Sequence, residues 1–224
     1  MKARAALALA LALLAAPAGA QEYVEAPGRL SDEDFYRAVA CAAPPGGDCQ
    51  KPFVRWDAAR PIRVALRQID DAFLGRPKLR AGAALERALQ ALNGADAGFR
   101  LARVEAGAPA EIEIFFLDIE RGQPIAGTGI DGVDGARLGG ASTRILFNHD
   151  TGFITRAAVV FSTTLETRAY ESAMLEELTQ AMGLVTDIKG PAYRGVSVFD
   201  QETNAATELA SQDIMALRRH YTRN

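Results

Sequence analysis

The residues whose types and spacing could do chemistry lie together on one predicted helix, residues 166–182. At about 100° per residue, this helix carries an apolar stripe along one side. The stripe consists of Tyr170, Met174, Leu178 and Ala181. Glu177 falls inside the stripe, whereas Glu176 and Gln180 lie side by side along its edge. An ionised carboxylate on a buried face is costly unless it is paired, hydrogen-bonded or protonated. We therefore predict that Glu177 is either a buried structural hydrogen-bonding group or a site residue.

Other catalytic arrangements find few suitable residues in this chain. It has only two histidines: His149, which we predict in a solvent-exposed loop, and His220, which we predict on the surface of the last helix. No G-x-S-x-G nucleophile elbow occurs. The side chains of the adjacent Glu176 and Glu177 point about 100° apart on a helix, so they cannot face one substrate as a glycosidase pair does.

A glycine-rich segment, residues 127–132, fits the G-x-G-x-x-G pattern of dinucleotide-binding loops. That motif needs a strand leading directly in and a helix leading directly out. Here the nearest predicted strand, residues 111–117, ends well before the motif, and residues 133–140 are not typical of a helix start. We predict a flexible surface loop over residues 127–140.

The first 20 residues differ from the rest of the chain. They hold 16 apolar side chains, two basic groups near the start and a small-residue Ala-Gly-Ala end, which is typical of a secretory signal peptide. The apolar stretch is too short to cross about 30 Å of hydrocarbon as a helix. We therefore predict export to the periplasm or outside the cell, and no membrane span after cleavage.

The two cysteines, Cys41 and Cys49, flank a Pro-Pro-Gly-Gly turn. Zinc binding would need more ligands at close spacing, whereas an exported protein meets an oxidising environment. We predict a structural disulfide that closes a small loop.

Apolar periodicity and turn signals predict the helices and strands that position these residues. Helices are predicted at residues 31–42, 81–92, 166–182 (opened by a Thr163–Glu166 capping box) and 211–221, and strands at 53–56, 62–66, 99–104, 111–117, 144–147 and 154–162. This order indicates an α+β domain. The chain carries 25 basic and 28 acidic residues without a basic cluster, which excludes a strongly basic nucleic-acid binder.

The predicted helix at residues 166–182, which we call the motif helix, resembles the metal-binding helix of a known class of metalloproteases. Residues 176–184, Glu-Glu-Leu-Thr-Gln-Ala-Met-Gly-Leu, are similar to the zincin helix H-E-x-x-H-x-x-G with both histidines replaced. Glu176 and Gln180 stand at the two zinc-ligand positions, Glu177 at the general base and Gly183 at the helix-ending glycine. Thr186 stands at the third ligand position of the metzincin extension, and Asp187 follows it.

The resemblance extends over roughly residues 53–221. Residues 211–221 look like the closing helix of matrixin-type metzincins, and residues 196–199 stand at the Met-turn with Phe199 in place of methionine. Residues 110–114 resemble the strand near the cleft. Together these features resemble the bacterial DUF2927 family, which is described as zincin-like without the zinc histidines. The resemblance implies a single zincin-like (metzincin/matrixin-like) α+β domain with a mixed sheet, a motif helix and a C-terminal helix.

These inferences combine into a domain division and a function. We predict a signal peptide at residues 1–20, an N-terminal segment with the disulfide loop at 21–52, and a zincin-like domain at 53–224. The first functional hypothesis is a catalytically inactive binding or assembly module for an unknown protein or cell-envelope partner. In it, Glu176, Glu177 and Gln180 form a polar network and no zinc or other cofactor is expected. The alternatives are a metal-dependent hydrolase using Glu176, Glu177 and a distant His or Asp, and a structural envelope protein whose motif helix is simply core.

Overall fold

A computed structural model describes residues 23–69, residue 73 and residues 75–222. The predicted signal peptide, residues 1–20, lies outside these described residues. In chain order the elements are β1 (Tyr23–Glu25), α1 (Asp32–Cys41), β2 (Ile62–Ile69), α2 (Arg76–Gly94), β3 (Leu101–Val104), β4 (Ile112–Leu117), β5 (Ala141–Phe147), β6 (Ile154–Ser162), α3 (Tyr170–Ala181), β7 (Asp187–Lys189) and α4 (Ser211–Tyr221).

Five of the strands form one mixed sheet in the order β3-β2-β4-β6-β5. The first four run parallel, and β5 pairs antiparallel with β6 at the edge. Parallel neighbours need a crossover connection, and α2 supplies it between β2 and β3. β1 and β7 form a separate two-stranded parallel sheet. A mixed sheet with four helices in a single domain confirms the α+β prediction at this level.

One continuous core joins the helices to one face of the large sheet. Its aromatic centre is a stack in which the ring centroid of Phe116 lies 4.8 Å from Phe161 and 4.6 Å from Phe73. Val24 and Phe35 belong to the same buried cluster. The N-terminal segment therefore shares the core of the residues that follow it.

The opposite face of the sheet is covered by the glycine-rich segment. Val133 and Leu138 are fully buried there, together with Ile125, against Val160 of β6. The prediction of a flexible surface loop over residues 127–140 is therefore wrong, because these apolar side chains pack as a second small cluster. Four glycines lie between these residues in the sequence, which hides their apolar pattern.

Two predicted elements differ from the structure. Residues 53–56 form only one bridge, from Arg55 to Phe153, instead of a strand. α3 begins at Tyr170, after a short 3₁₀ turn over Thr167–Ala169. The predicted capping box is not formed, because the Thr163 hydroxyl donates to Asp118 at 3.1 Å.

The predicted disulfide is confirmed. Cys41 and Cys49 are bonded, and their Cα atoms lie 5.1 Å apart. Between them the Gly47 N–H donates to the Pro44 carbonyl at 2.8 Å and closes the turn. No helix of the described residues combines the length and the apolar character needed to cross a membrane.

Candidate functional site

A cavity of about 950 Å³ lies between β5, α3 and the chain on either side of β7. Glu176, Glu177 and Gln180 of the motif helix line it, as does Asp187 at the start of β7. Most of the site residues predicted from the sequence are thus brought to one cavity. Thr186 is buried, and its hydroxyl accepts a hydrogen bond from Lys51 Nζ at 3.3 Å.

Glu177 is buried under the edge strand, with 5% of its surface exposed. The Thr143 hydroxyl lies 2.6 Å from its Oε2 and 2.9 Å from its backbone carbonyl oxygen. Burial of this carboxylate follows from its place in the apolar stripe, and its partner comes from β5. The contact ties the motif helix to the middle of the edge strand.

Gln180 ties the same helix to the other side of the cavity. Its side-chain amide donates to Asp187 Oδ1 at 3.0 Å. α3 is therefore held through Glu177 on one side and through Gln180 on the other.

Glu176 has a different environment. Its Oε2 is buried and has no hydrogen-bond partner among the described residues. Burial raises the pKa of Glu176 well above its usual range, and the neighbouring Glu177, Asp187 and Asp200 raise it further. The Glu176 carboxyl therefore keeps its proton to an unusually high pH.

Asp200 is a further acidic residue on the cavity lining that the sequence pattern did not indicate. It is buried and accepts hydrogen bonds from the Gly195 N–H at 2.7 Å, the Glu202 N–H at 2.9 Å and the Thr203 hydroxyl. An Asp that caps the backbone two residues later is a recognisable turn signal. That signal could have indicated the turn, although not its position at the cavity.

Asp213, also missed, anchors the same wall to the start of α4. It is fully buried and accepts from the Ser197 hydroxyl at 2.6 Å, the Ala210 N–H at 2.8 Å and the Val198 N–H at 3.1 Å. Burial raises the pKa of Asp213 to about 6 despite these hydrogen bonds.

The two histidines lie away from the cavity lining. The prediction that His220 is a surface residue is wrong: it is 3% exposed, with Nε2 2.8 Å from the Val54 carbonyl and Nδ1 3.2 Å from the Tyr36 hydroxyl. Its helix face meets residues 53–56, whose packing the sequence pattern did not reveal. His149 is exposed, as predicted. Across residues 23–69, 73 and 75–222, no group of three or more His, Cys, Asp or Glu side chains is placed to hold a metal ion.

Basic side chains also line the cavity. They are Lys51, Arg121, Arg137 and Arg144. Arg137 donates to the Gly122 carbonyl at 2.9 Å, within the glycine-rich segment. The lining of the cavity thus carries acidic groups on α3 and β7 together with basic groups.

The edge strand β5 presents free backbone to the cavity. Within the described part of the chain, β6 is the only strand beside it. In an antiparallel pair, residues whose N–H and C=O groups bond to the neighbouring strand alternate with residues whose groups point away from it. The Ser162 N–H donates to the Gly140 carbonyl at 2.8 Å, so Gly140 is one of the residues bonded to β6. At every second residue of β5 the N–H and C=O groups therefore point away from β6. These residues are Ala141, Thr143 and Ile145, and all three line the cavity.

Comparison with protein families identifies a match that covers most of the chain. The model of a family described as a protein of unknown function (DUF2927) matches residues 33–224. A search of curated proteins finds no match to the chain.

Proposed function

The chain belongs to the DUF2927 family, whose function is unknown, and we propose that it is an exported, catalytically inactive binding module. In this proposal the cavity receives an extended segment of a partner protein, which adds to the large sheet beside β5. The observation that carries the proposal is the open edge of β5, which runs along the cavity opposite the motif helix.

Strand addition uses groups that this edge already presents. Ala141, Thr143 and Ile145 offer three N–H and three C=O groups in the direction away from β6. An extended peptide can pair with such a row through its main chain, while pockets select its alternate side chains. The seven residues of β5 match a peptide segment of about the usual strand length.

The residues at the metal positions of the motif helix favour binding over zinc chemistry. Zinc sites are built from His, Cys and carboxylate ligands. The Gln180 amide donates to Asp187, and the raised pKa of Glu176 favours a neutral carboxyl. Neither group is therefore prepared as a zinc ligand, and Glu177, at the general-base position, bonds to Thr143.

The arrangement of elements supports a zincin-like assignment as part of the proposal. An antiparallel edge strand lies over a helix that carries the degenerate motif. That helix is followed by Gly183 in a left-handed conformation, and a last helix, α4, follows the cavity wall. Export is supported by the leader-like residues 1–20 and by the Cys41–Cys49 disulfide.

The test is an NMR titration of the purified protein with a blocked seven-residue peptide that alternates threonine and valine around a central norleucine or lysine. We expect shifts at the amides of Ala141, Thr143 and Ile145 on adding at least one of the two peptides. Ala141→Pro should weaken binding about two- to tenfold, because it removes one outward N–H and leaves the ladder to β6 intact. Ala141→Val keeps the N–H and serves as the control. Equal binding by both variants, or no shifts along β5, would contradict strand addition.

A metal-dependent hydrolase is the second candidate, because Glu176, Glu177, Asp187 and Asp200 all line the same cavity. Metal analysis of protein purified without chelators separates the two functions. A bound metal at one equivalent per chain that is lost in Glu176→Ala, together with peptidase activity that depends on Glu177, would replace the binding proposal.

A further inference from the structure

We propose that the acidic region beneath β5 is a specificity pocket for a basic side chain, lysine or arginine, of the bound segment. This inference rests on the proposed function, since the pocket is addressed by a peptide lying along β5. The acidic region consists of Glu176, Glu177, Asp187 and Asp200.

The first support is the unmatched Glu176 carboxyl. Its Oε2 is buried without a hydrogen-bond partner among the described residues, and Glu176 lines the cavity. A buried polar atom without a partner is unfavourable, so a ligand that donates to it is favoured. Ammonium and guanidinium groups are pure donors and would satisfy it.

The second support is the sign of the surrounding charge. The charged groups that act on the Glu176 carboxyl are Glu177, Asp187 and Asp200, and all of them are acidic. Four basic residues line the same cavity: Lys51, Arg121, Arg137 and Arg144. The three acidic neighbours of Glu176 would nevertheless stabilise a cation placed beside its carboxyl.

The third support is the register between pocket and strand. Thr143 is the third of the seven residues of β5, and its hydroxyl contacts Glu177, the neighbour of Glu176 on the helix. A side chain near the middle of a peptide paired with β5 would point toward α3 at this place. The pocket therefore reads one central residue of the bound segment.

The experiment compares two blocked seven-residue peptides that alternate threonine and valine and differ only in lysine or norleucine at the centre. We expect the lysine peptide to bind at least about tenfold more tightly, as for a hydrogen bond to a charged group. Glu176→Gln should abolish this preference, and it keeps the side-chain shape. Glu171→Gln is the matched control on the same helix, because Glu171 pairs with Arg87 outside the cavity lining.

A second probe tests the pocket without a peptide. Millimolar butylammonium should lower the titration midpoint of the Glu176 carboxyl carbon, followed by ¹³C NMR, and 1-butanol should leave it unchanged. A cation stabilises the ionised form of an adjacent carboxyl, which is the reason for this expectation.

The outcomes separate the pocket from strand addition. Equal affinity of both peptides, with shifts along β5, would overturn the basic pocket and leave the proposed function intact. Absence of shifts with either peptide would overturn strand addition, and the butylammonium titration would then decide whether the cation pocket exists. Calcium or zinc that binds at one equivalent and displaces the lysine peptide would overturn the pocket in favour of a metal site.

Discussion

Replacing Gly183 by alanine tests the packing that ends the motif helix. Gly183 has a φ of +97°, and an added Cβ would lie 1.9 Å from the Val54 carbonyl oxygen and 2.9 Å from His220 Nε2. The left-handed conformation costs an alanine about 1–2 kcal/mol. Moving the Val54 carbonyl would also disturb its buried hydrogen bond with His220, which adds about 1–3 kcal/mol. We therefore expect Gly183→Ala to lower the free energy of unfolding by about 2–5 kcal/mol.

Alanine variants of two other glycines measure the conformational cost and the steric cost separately. Gly127 has a φ of +71° with no atom near an added Cβ, so Gly127→Ala carries the conformational cost alone, about 1–2 kcal/mol. At Gly190, where φ is not left-handed, an added Cβ would lie 2.2 Å from the Ala26 carbonyl oxygen, so Gly190→Ala carries the steric cost alone, about 1–3 kcal/mol.

The assay is equilibrium unfolding in guanidinium chloride at pH 7 with the disulfide intact. Linear extrapolation gives the free energy of each variant, and an unchanged slope shows that the unfolded states are comparable. If Gly183→Ala lowers the free energy of unfolding no more than Gly127→Ala does, there is no added cost from the contacts with Val54 and His220. Such a result would mean that the chain at Val54 moves away without loss.

Two buried groups predict opposite pH dependences of stability. Burial lowers the pKa of His220 to about 4 from 6.5, so the unfolded chain binds more protons and stability falls by about 3 kcal/mol as pH drops from 6.5 to 4. His220→Gln should flatten this loss in pH-dependent unfolding, and an unchanged slope would exclude His220 as its source. Burial raises the pKa of Asp213 to about 6 from 3.8, so this carboxyl adds about 3 kcal/mol of stability as pH falls from 6 to 4. Asp213→Asn should remove that gain and steepen the acid loss, whereas a shallower acid loss would contradict the assignment.

The sequence predicts best those elements whose apolar period is uninterrupted. The predicted bounds of β6 (Ile154–Ser162) and α4 (Ser211–Tyr221) agree with the structure. α1 is also predicted well, because Ser31 caps it by accepting from the Asp34 N–H. The start of α3 was not predictable from Thr163, since the Asp118 partner of its hydroxyl is 45 residues away.

The candidate site also has some features that the sequence predicts and others that it does not. The burial of Glu177 and the adjacency of Glu176 and Gln180 follow from helical spacing within one element. Their partners do not: Thr143 lies 34 residues before Glu177 and belongs to an edge strand. Asp200 lies in an irregular segment, where no period indicates which side chains turn inward. The partners of the site residues are therefore set by the tertiary structure, which the local sequence pattern does not reveal.

These partners also hold the motif helix in place on two sides of the cavity. Thr143 holds Glu177 from the sheet side, and Asp187 holds Gln180 from the opposite side. Two histidines placed at the positions of Glu176 and Gln180 would provide only two zinc ligands, and tetrahedral zinc in an enzyme needs a third from the protein. The corresponding position, Thr186, is buried, and its hydroxyl accepts a hydrogen bond from Lys51 Nζ. The residues at the motif positions thus have partners in their surroundings, which supports our proposal that the cavity binds a ligand other than zinc.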